Sequence, residues 1–274
     1  MNPQAYCNEK VLRAGSSLYY SLRVVPSPQR EVLIALHTLF HELAEIVEEC
    51  HDPKVANIKL DWWRNELIAL AQNTARHPAA QALSQAIQDY RLPLHYFEEL
   101  LEGIIDNTQR ARYTSFSQLE TNCKRTSGIL QLLCTATLGY QQESTLKYAE
   151  QLGIALQLTY LLRHFRQHLH QGRIYIPQEE LAQFFVTEQT LFDENCSEKV
   201  QALFAFQTTR IRAYFHNALK YLAKDDCATQ RFGRVRAKLA LSTLQEIEAD
   251  GYQLFKHQIH LTPLRKLWLA WRVR

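Results

Sequence analysis

The chain has 274 residues and a formal net charge of +3, with 46% hydrophobic and 22% charged residues. This length is ample for a large buried core, and the composition is ordinary for a globular protein. A charge this small, without a Lys/Arg block, argues against nucleic-acid binding, and no apolar run approaches the ~20 residues that cross a bilayer.

The sparse glycines and the scattered cysteines narrow the class of protein. Only 8 glycines are present, and strand-like runs of Val, Ile and Thr with Asn-Gly or Asp-Gly turns are missing, which favours an all-α chain. The 6 cysteines include no C-x-x-C pair and are expected to be reduced, structural thiols. Residues 1–10 are polar and do not resemble a secretory signal, so we expect a cytoplasmic protein.

Apolar periodicity predicts helices through the first half of the chain. Ser27-Pro28 is a typical helix start, and the apolar residues within 31–50 recur at intervals of three and four, as on an amphipathic helix. Further helices are expected over 55–75, 81–90 and 94–108. Ser115 and Gln118 have the S-x-x-Q form of a capping box, which predicts a helix from there to about Leu138.

The second half of the chain has the same helical character. Residues 143–170 are predicted to form one long helix that is interrupted only at Gly153 and is closed by Gly172. Helices are expected over 201–223 and 231–250, followed by a basic, Trp-containing tail from Pro263, and the longest predicted loop is 187–197. Because no repeat or low-complexity linker divides the chain, we expect one domain over residues 1–274.

Several motifs follow one another along the chain. They are Ser16-Ser17-Leu18-Tyr19-Tyr20-Ser21-Leu22, Trp63-Arg64-Asn65-Glu66-Leu67, Gly153-Ile154-Ala155-Leu156-Gln157-Leu158-Thr159, Gly172-Arg173-Ile174-Tyr175-Ile176-Pro177 and Gly251-Tyr252. They resemble the S-S-F-Y-Y-S-F, W-R-x-E-L, G-x-A-x-Q-L-T and R-G-R-I-Y-L-P motifs and the closing helices of the squalene/phytoene synthase family. Each motif alone is weak, but together, in this order and spacing, they are specific.

This resemblance implies a fold and a chemistry. The fold is the all-α isoprenoid synthase bundle around a central cavity. Enzymes of the family condense two prenyl diphosphates head to head, and Mg²⁺ bridges the diphosphate to two aspartate-rich motifs on facing helices, because this hard cation prefers oxygen ligands and stabilises the departing group. By resemblance, the diphosphate-binding candidates are Ser17, Arg163, Arg173, Tyr175 and Arg265.

The two metal-binding motifs of the family are where this sequence departs from the pattern. The first, R-x-x-D-D-x-x-D, aligns with residues 41–48, and its functional positions hold His41, Ala44, Glu45 and Glu48. The second, N-x-x-R-D-x-x-E-D, aligns with residues 160–168, where Tyr160 replaces the asparagine, Arg163 is kept, and His164, Gln167 and His168 replace the acids. Neutral imidazole is a poor ligand for Mg²⁺ and suits Zn, Fe, Cu or Ni better.

Two hypotheses concern catalysis. In the first, the chain is a pseudoenzyme that keeps the cavity for an isoprenoid or lipid-like ligand and acts by binding or as an assembly-type accessory protein. In the second, it is an active head-to-head prenyl diphosphate synthase, in which Glu45 and Glu48 hold one Mg²⁺ while Arg163, Arg173 and Arg265 neutralise the diphosphate. The first predicts no turnover of prenyl diphosphates, whereas the second predicts a coupled hydrocarbon.

A third hypothesis is a change of metal. His37, His41 and Glu45 are spaced i, i+4, i+8 on one helix stripe, and mixed imidazole and carboxylate ligands from facing helices are typical of Zn, Fe or Mn sites in bundles. The predicted ligands are His41, Glu45, Glu48, His164 and His168. The alternative is that the acids form a solvated helix face and that the histidines are exposed or hydrogen-bonded.

The sequence says less about binding partners than about the residues of the site. An isoprenoid or lipid-like ligand is expected from the resemblance, and a protein partner is left open. Residues 264–272 mix basic and aromatic side chains, which leaves contact with the inner face of a membrane open beside packing as a last helix.

Overall fold

The computed structural model describes residues 2–50, 52–194 and 196–273, and 74% of these described residues are helical. Within those ranges no strand is present, and Arg112 and Ile174 form an isolated parallel bridge. No helix in the same ranges is both long and apolar enough to cross a membrane. The predicted all-α fold class is confirmed.

The helices are numbered α1 to α15 in chain order. They span Pro3–Val11, Ser17–Leu22, Ser27–Glu49, Pro53–Ala71, Pro78–Asp89, Leu94–Thr108, Phe116–Cys123, Ile129–Leu138, Ser144–Arg163, Phe165–His170, Gln178–Gln183, Glu188–Phe192, Glu198–Tyr221, Arg231–Ala249 and Pro263–Arg272. A π-helical turn, Lys124–Gly128, joins α7 to α8, and a 3₁₀ turn, Lys224–Asp226, precedes α14. The helix predicted over 94–108 matches α6 at both ends.

Local sequence explains where several helices begin. Proline occupies the first turn of α3, α4, α5 and α15, where its missing N–H costs no helical hydrogen bond. The side chains of Asp52 and Ser197 accept hydrogen bonds from the backbone N–H groups of Lys54 and Val200, and so they cap α4 and α13.

The capping box predicted at Ser115 does not form, although a helix begins there. The Ser115 side chain makes no cap hydrogen bond, and Gln118 Oε1 accepts a hydrogen bond from the N–H of Thr114 instead, at 3.2 Å. The N–H of Phe116 donates to Glu179 Oε1 at 2.6 Å. A carboxylate that is distant in sequence therefore caps α7.

The predicted long helix over 143–170 is wrong in one respect, because it breaks at His164 and not at Gly153. His164 adopts φ −99° and ψ 17° between α9 and α10, whereas Gly153 lies within α9. A Cβ at Gly153 would lie 2.4 Å from the carbonyl oxygen of Ser127. Glycine is therefore needed there so that α9 and the π-helical turn can cross closely.

The sequence also failed to predict some short helices. Helices α1 and α2 precede the first predicted helix, and α12 lies inside the predicted loop 187–197. Helix α1 has no amphipathic stripe of its own, so packing against α3 and α5 stabilises it. The Asn2 side chain adds a cap by accepting hydrogen bonds from the N–H groups of Gln4 and Ala5.

Two large clusters of buried apolar side chains form most of the core. The first is built mainly by α3, α4, α5, α6 and α8, and the second mainly by α9, α13 and α14. A cavity of about 380 Å³ lies between α3 and α9, and side chains from α1, α2, α6, α8, α10 and α14 also line it. This is the predicted helical bundle around a central cavity.

Candidate functional site

The central cavity has a largely apolar wall. Val11, Leu18, Phe40, Leu130 and Leu156 are among the side chains that line it. Its volume of about 380 Å³ lies within the ~300–1,000 Å³ typical of small-molecule sites. Burial of an apolar chain there would contribute roughly 25 cal/mol for each Å² removed from water. The cavity therefore suits a ligand with a hydrocarbon chain.

Helix α3 brings the first aligned motif to this cavity. His41, Ala44, Glu45 and Glu48 all line it. Glu45 Oε2 accepts a hydrogen bond from Lys10 Nζ at 2.6 Å, and Glu45 Oε1 lies 3.2 Å from His41 Nδ1. The methyl group of Ala44 offers no ligand atom. Glu45 therefore already has a cationic partner within the chain.

Lys10, on α1, is held between two acids of α3. Its Nζ lies 2.6 Å from Glu45 Oε2 and 3.2 Å from Glu42 Oε1, and Tyr6 OH donates a hydrogen bond to Glu42. Burial lowers the pKa of Lys10, but the hydrogen bonds to Glu45 and Glu42 outweigh this effect and raise the pKa to about 12. Lys10 therefore keeps its positive charge at neutral pH, beside an acid of the first aligned motif.

Glu48 is bonded to the opposite wall. Tyr160 OH, on α9, donates a hydrogen bond to Glu48 Oε1 at 2.6 Å. Burial, followed by the charge of Glu48, raises the pKa of Tyr160 well above its usual value, so the phenol keeps its proton and remains a donor. Tyr160, which belongs to the second aligned motif, therefore takes up an acceptor oxygen of Glu48, an acid of the first.

The two histidines of the second aligned motif are uncharged at neutral pH. His164 Nδ1 lies 2.9 Å from the carbonyl oxygen of Tyr160, and burial, followed by the charge of Arg163, lowers the pKa of His164 to about 4. The His168 ring packs edge-on to Tyr175, with 4.9 Å between centroids. Burial, followed by the charge of His164, lowers the pKa of His168 to about 3.

These residues do not fit the magnesium cluster that the family resemblance implies. Mg²⁺ needs oxygen ligands in near-octahedral geometry, whereas the wall of α9 and α10 presents Tyr160 and His168 to the cavity. The first wall supplies Glu45 and Glu48, and both already accept hydrogen bonds from neighbouring side chains. Carboxylates on two facing walls, which the family motifs require, are not available here.

The predicted transition-metal site is not formed either. Among the residues that the structure describes, no group of three or more His, Cys, Asp or Glu side chains is arranged to hold a metal ion. The predicted ligands were His41, Glu45, Glu48, His164 and His168. The acids are bonded to Lys10 and Tyr160, and the Nδ1 atom of His164 faces its own helix, so these side chains do not converge on one point.

Two of the predicted diphosphate-binding residues, Arg173 and Arg265, are not among the side chains that line the cavity. Arg173 Nη1 donates a hydrogen bond to the carbonyl oxygen of Asn107 at 2.9 Å. Arg265 Nη1 donates to Glu246 Oε1 at 2.6 Å, in a pair that is exposed to solvent. Both guanidinium groups bind acceptors of the protein itself, and diphosphate binding by Arg173 and Arg265 stays a prediction.

The other three diphosphate-binding candidates lie at the site. Tyr175 lines the central cavity. Ser17 and Arg163 line a narrow cleft that adjoins it. The structure thus places these three residues of the family pattern at the cavity or at a cleft that shares lining side chains with it.

Three cations that line the cavity were missed from the sequence, Lys10, Arg13 and Arg236. Arg236 Nη1, on α14, donates a hydrogen bond to His37 Nε2 at 2.8 Å, and His37 Nδ1 lies 2.8 Å from the carbonyl oxygen of Leu33. Burial, followed by the charge of Arg236, lowers the pKa of His37 to about 3. No pattern separates Arg236 from its basic neighbours Arg234 and Lys238 on the same helix, because its position depends on tertiary packing.

Comparisons with known sequences agree with the motifs. The sequence model described as squalene/phytoene synthase matches residues 11–265. The 15-cis-phytoene synthase of Synechococcus elongatus is 28% identical over 278 residues, which cover 95% of this chain and 89% of that protein. The phytoene synthase of Mycobacterium tuberculosis is 28% identical over 277 residues, which cover 97% of this chain and 89% of that protein.

Comparisons with solved structures agree with the fold. A dehydrosqualene synthase in complex with a ligand superposes with a TM-score of 0.87 at 18% identity, covering 99% of this chain and 95% of the other. The squalene synthase HpnC from Alicyclobacillus acidocaldarius superposes with a TM-score of 0.79 at 20% identity, covering 91% of this chain and 94% of the other.

Proposed function

The chain belongs to the squalene/phytoene synthase family, and on that premise we propose that its cavity binds an isoprenoid or similar lipid-like ligand without Mg²⁺-dependent coupling. In this proposal the chain is a pseudoenzyme. It keeps the apolar cavity of the family, but internal hydrogen bonds replace the ligands of the metal cluster.

The proposal rests on one observation, the hydrogen bond of 2.6 Å between Tyr160 OH and Glu48 Oε1. This bond ties an acid of the first motif to a side chain of the second. Freeing Glu48 would leave a part-buried carboxylate and a part-buried phenol without partners, which costs about 1–3 kcal/mol for each group. Because the second wall offers no carboxylate in return, bound Mg²⁺ does not offset that cost.

Binding with and without divalent metal tests the proposal. In an equilibrium titration with a fluorescent farnesyl diphosphate analogue, we expect the same Kd in millimolar Mg²⁺ and in excess EDTA. Ala44→Phe places a ring in the cavity and should weaken binding by about tenfold or more. Ala182→Phe, at an exposed position on α11, is the matched control. Binding that vanishes in EDTA would contradict the proposal.

The names of the relatives favour a second candidate, an active head-to-head prenyl diphosphate synthase. Both phytoene synthases described above align with nearly the whole chain. In this alternative, Glu45 and Glu48 would hold one Mg²⁺, for which they would have to give up their hydrogen bonds with Lys10 and Tyr160. Affinity that depends on Mg²⁺, together with a coupled hydrocarbon product, distinguishes this candidate from the first.

Contact with a membrane stays a prediction that α15 supports. Leu264 and Trp268 are 80% and 50% exposed, and the basic residues Arg265 and Arg272 lie on the same helix. An anionic lipid surface attracts such charges and buries such apolar side chains. Absence of co-sedimentation with phosphatidylglycerol vesicles would end this idea. The cytoplasmic location and an assembly-type role with a protein partner also stay predictions.

A further inference from the structure

A second pocket of about 380 Å³ lies between α3 and α4, beside the start of α5. We call it the aromatic pocket, because three rings line it together with three acids of α3. These side chains are Trp62, Trp63, His77, Glu42, Glu45 and Glu49. Of the described residues, Glu45 alone lines both this pocket and the central cavity. The aromatic pocket therefore lies on a different face of α3 and is a space of its own.

The three rings of the aromatic pocket stand at steep angles to one another. The centroids of Trp62 and Trp63 are 5.2 Å apart, with an interplanar angle of 81°. The His77 ring lies 5.9 Å from Trp62 at 76° and 4.7 Å from Trp63 at 59°. The face of an indole ring carries the negative end of its quadrupole and attracts a cation within about 6 Å. Rings in this arrangement form one wall of a cage for a positive group.

Packing leaves one of these rings open to a ligand. Trp62 is 47% exposed, whereas Trp63 is 4% exposed. Glu66 Oε1 accepts hydrogen bonds from the N–H groups of Arg76 and His77 at 2.5 and 2.6 Å, which holds the start of α5 against α4. Burial lowers the pKa of His77 below its ordinary value of 6.5. The His77 ring is therefore neutral at neutral pH and does not repel a cation.

The acids give the aromatic pocket an excess of negative charge. Glu42 and Glu45 share one cation, Lys10. Glu49, exposed at the end of α3, has no hydrogen-bond or ion-pair partner in the described part of the chain. Lys59 also lines the pocket, but it forms no ion pair within residues 2–50, 52–194 and 196–273. Three carboxylates thus accompany two ammonium groups, and the lysine of the pocket does not neutralise Glu49.

This combination of rings and acids selects a class of ligand. An anion would be repelled by the carboxylates, and an uncharged apolar group gains nothing from them. A guanidinium group needs carboxylate oxygens that accept its paired N–H groups, but Glu42 and Glu45 are already bonded to Lys10. A quaternary ammonium group has no N–H to donate, and aromatic faces beside a carboxylate are the surroundings that bind it.

We propose that the aromatic pocket binds a trimethylammonium head group, with Trp62 as the main aromatic contact and Glu49 as the counter-ion. The chemical class of the ligand is a choline-type quaternary ammonium compound. This inference goes beyond the proposed function, because it depends neither on the ligand of the central cavity nor on Mg²⁺.

An NMR titration of the ¹⁵N-labelled protein tests the proposal through the indole N–H signals of its 4 tryptophans. The probes are choline, its uncharged isostere 3,3-dimethylbutan-1-ol and methylguanidinium, at constant ionic strength. We expect choline to shift the signals of Trp62 and Trp63 and to leave those of Trp268 and Trp271, on α15, in place. Choline should bind at least about fivefold more tightly than its isostere, as for a cation–π contact. Methylguanidinium should bind more weakly than choline.

Variants assign the binding to the aromatic pocket. Trp62→Leu should weaken choline binding by at least about fivefold and remove the preference over the isostere. Trp268→Leu is the matched control, because Trp268 is 50% exposed and Trp62 is 47% exposed. Glu49→Gln keeps the size of the side chain but removes its charge, so choline binding should weaken by about two- to fivefold while binding of the isostere is unchanged. Glu31→Gln, also at an exposed position on α3, is its control.

Several results would overturn the proposal. They are equal affinity for choline and its isostere, tighter binding of methylguanidinium than of choline, and a shift of the Trp268 signal as large as that of Trp62. Loss of affinity in Glu31→Gln as strong as in Glu49→Gln would also overturn it. Because none of the probes carries a prenyl chain, each of these results leaves the proposed function standing.

Phosphatidylcholine vesicles distinguish two sources of the head group. Co-sedimentation with the vesicles that Trp62→Leu abolishes and choline competes away supports the pocket and assigns a lipid. Choline binding without such co-sedimentation supports the pocket and assigns a free small molecule.

Discussion

Lys10 bonds to Glu45, and Tyr160 bonds to Glu48, so each acid of α3 that lines the cavity has a donor from another helix. Hydrogen bonds to charged groups contribute ~1.5–3 kcal/mol, and an acid left unpaired in such a site costs a similar amount. The residues at the two motifs are therefore compatible with one another, because each acid on α3 is paired with a donor. The acids remain part-buried because an ammonium and a phenol satisfy them.

Lys10→Met tests the first of these pairs. The substitution keeps an unbranched apolar stem but leaves Glu42 and Glu45 without their cation, and we expect the free energy of unfolding to fall by about 1–3 kcal/mol. Urea unfolding at neutral pH measures the change. Lys54→Met, at an exposed position near the start of α4, is the control. Equal stability of the two variants would show that Lys10 is not the partner that holds these acids.

The buried histidines predict how stability depends on pH. The pKa is lowered to about 3 for His37, to about 4 for His164 and to about 3 for His168, from an ordinary value of 6.5. Below pH 6.5 the unfolded chain therefore binds protons that the folded chain does not. Stability must fall as the pH falls from about 6.5 towards 4, by up to about 1.4 kcal/mol per pH unit for each histidine.

Urea unfolding between pH 7 and pH 4.5 measures this slope. Within that window, His164→Gln should reduce the number of protons that the chain takes up on unfolding by about one, and the slope should fall accordingly. His216→Gln, at an exposed position on α13, is the control. A slope that is the same in His164→Gln and in the parent protein would mean that His164 is not held neutral by burial.

At the scale of elements, the sequence was most informative where helices are long and amphipathic. Helix α6 was predicted at both ends, and the start of α3 at Ser27 was predicted from its proline. The break at His164 was missed because no Gly or Pro marks it. Gly153 was misjudged for the opposite reason, since its glycine serves a close crossing of helices rather than a break.

Gly153→Ala tests that crossing. The new Cβ would meet the backbone of the π-helical turn, including Gly128 Cα at 2.5 Å, and backbone does not move aside cheaply. We expect the free energy of unfolding to fall by about 1–3 kcal/mol or more. Gly128→Ala is a matched control in the same crossing, because its Cβ would meet its nearest atom at 3.5 Å. Similar thermal stability of the two variants would contradict this account of the packing.

At the scale of the whole molecule, the fold was easier to predict from the sequence than the site was. A TM-score of 0.87 at 18% identity shows that the bundle tolerates most substitutions, and the motifs were enough to predict it. The site was predictable only in part. Glu45, Glu48, Tyr175 and Arg163 were found from the motifs, but Lys10 and Arg236 were not, because their roles depend on which helices pack together.

We propose that internal donors have replaced the metal ligands, so that the cavity binds prenyl diphosphates but does not couple them. The most direct test of this proposal is incubation of the purified protein with labelled farnesyl and geranylgeranyl diphosphate and Mg²⁺, followed by extraction of the products. An active phytoene synthase run in parallel shows that the extraction recovers hydrocarbon. The account predicts that both substrates are recovered unchanged; a coupled hydrocarbon of thirty or forty carbons that forms only with Mg²⁺ would contradict it.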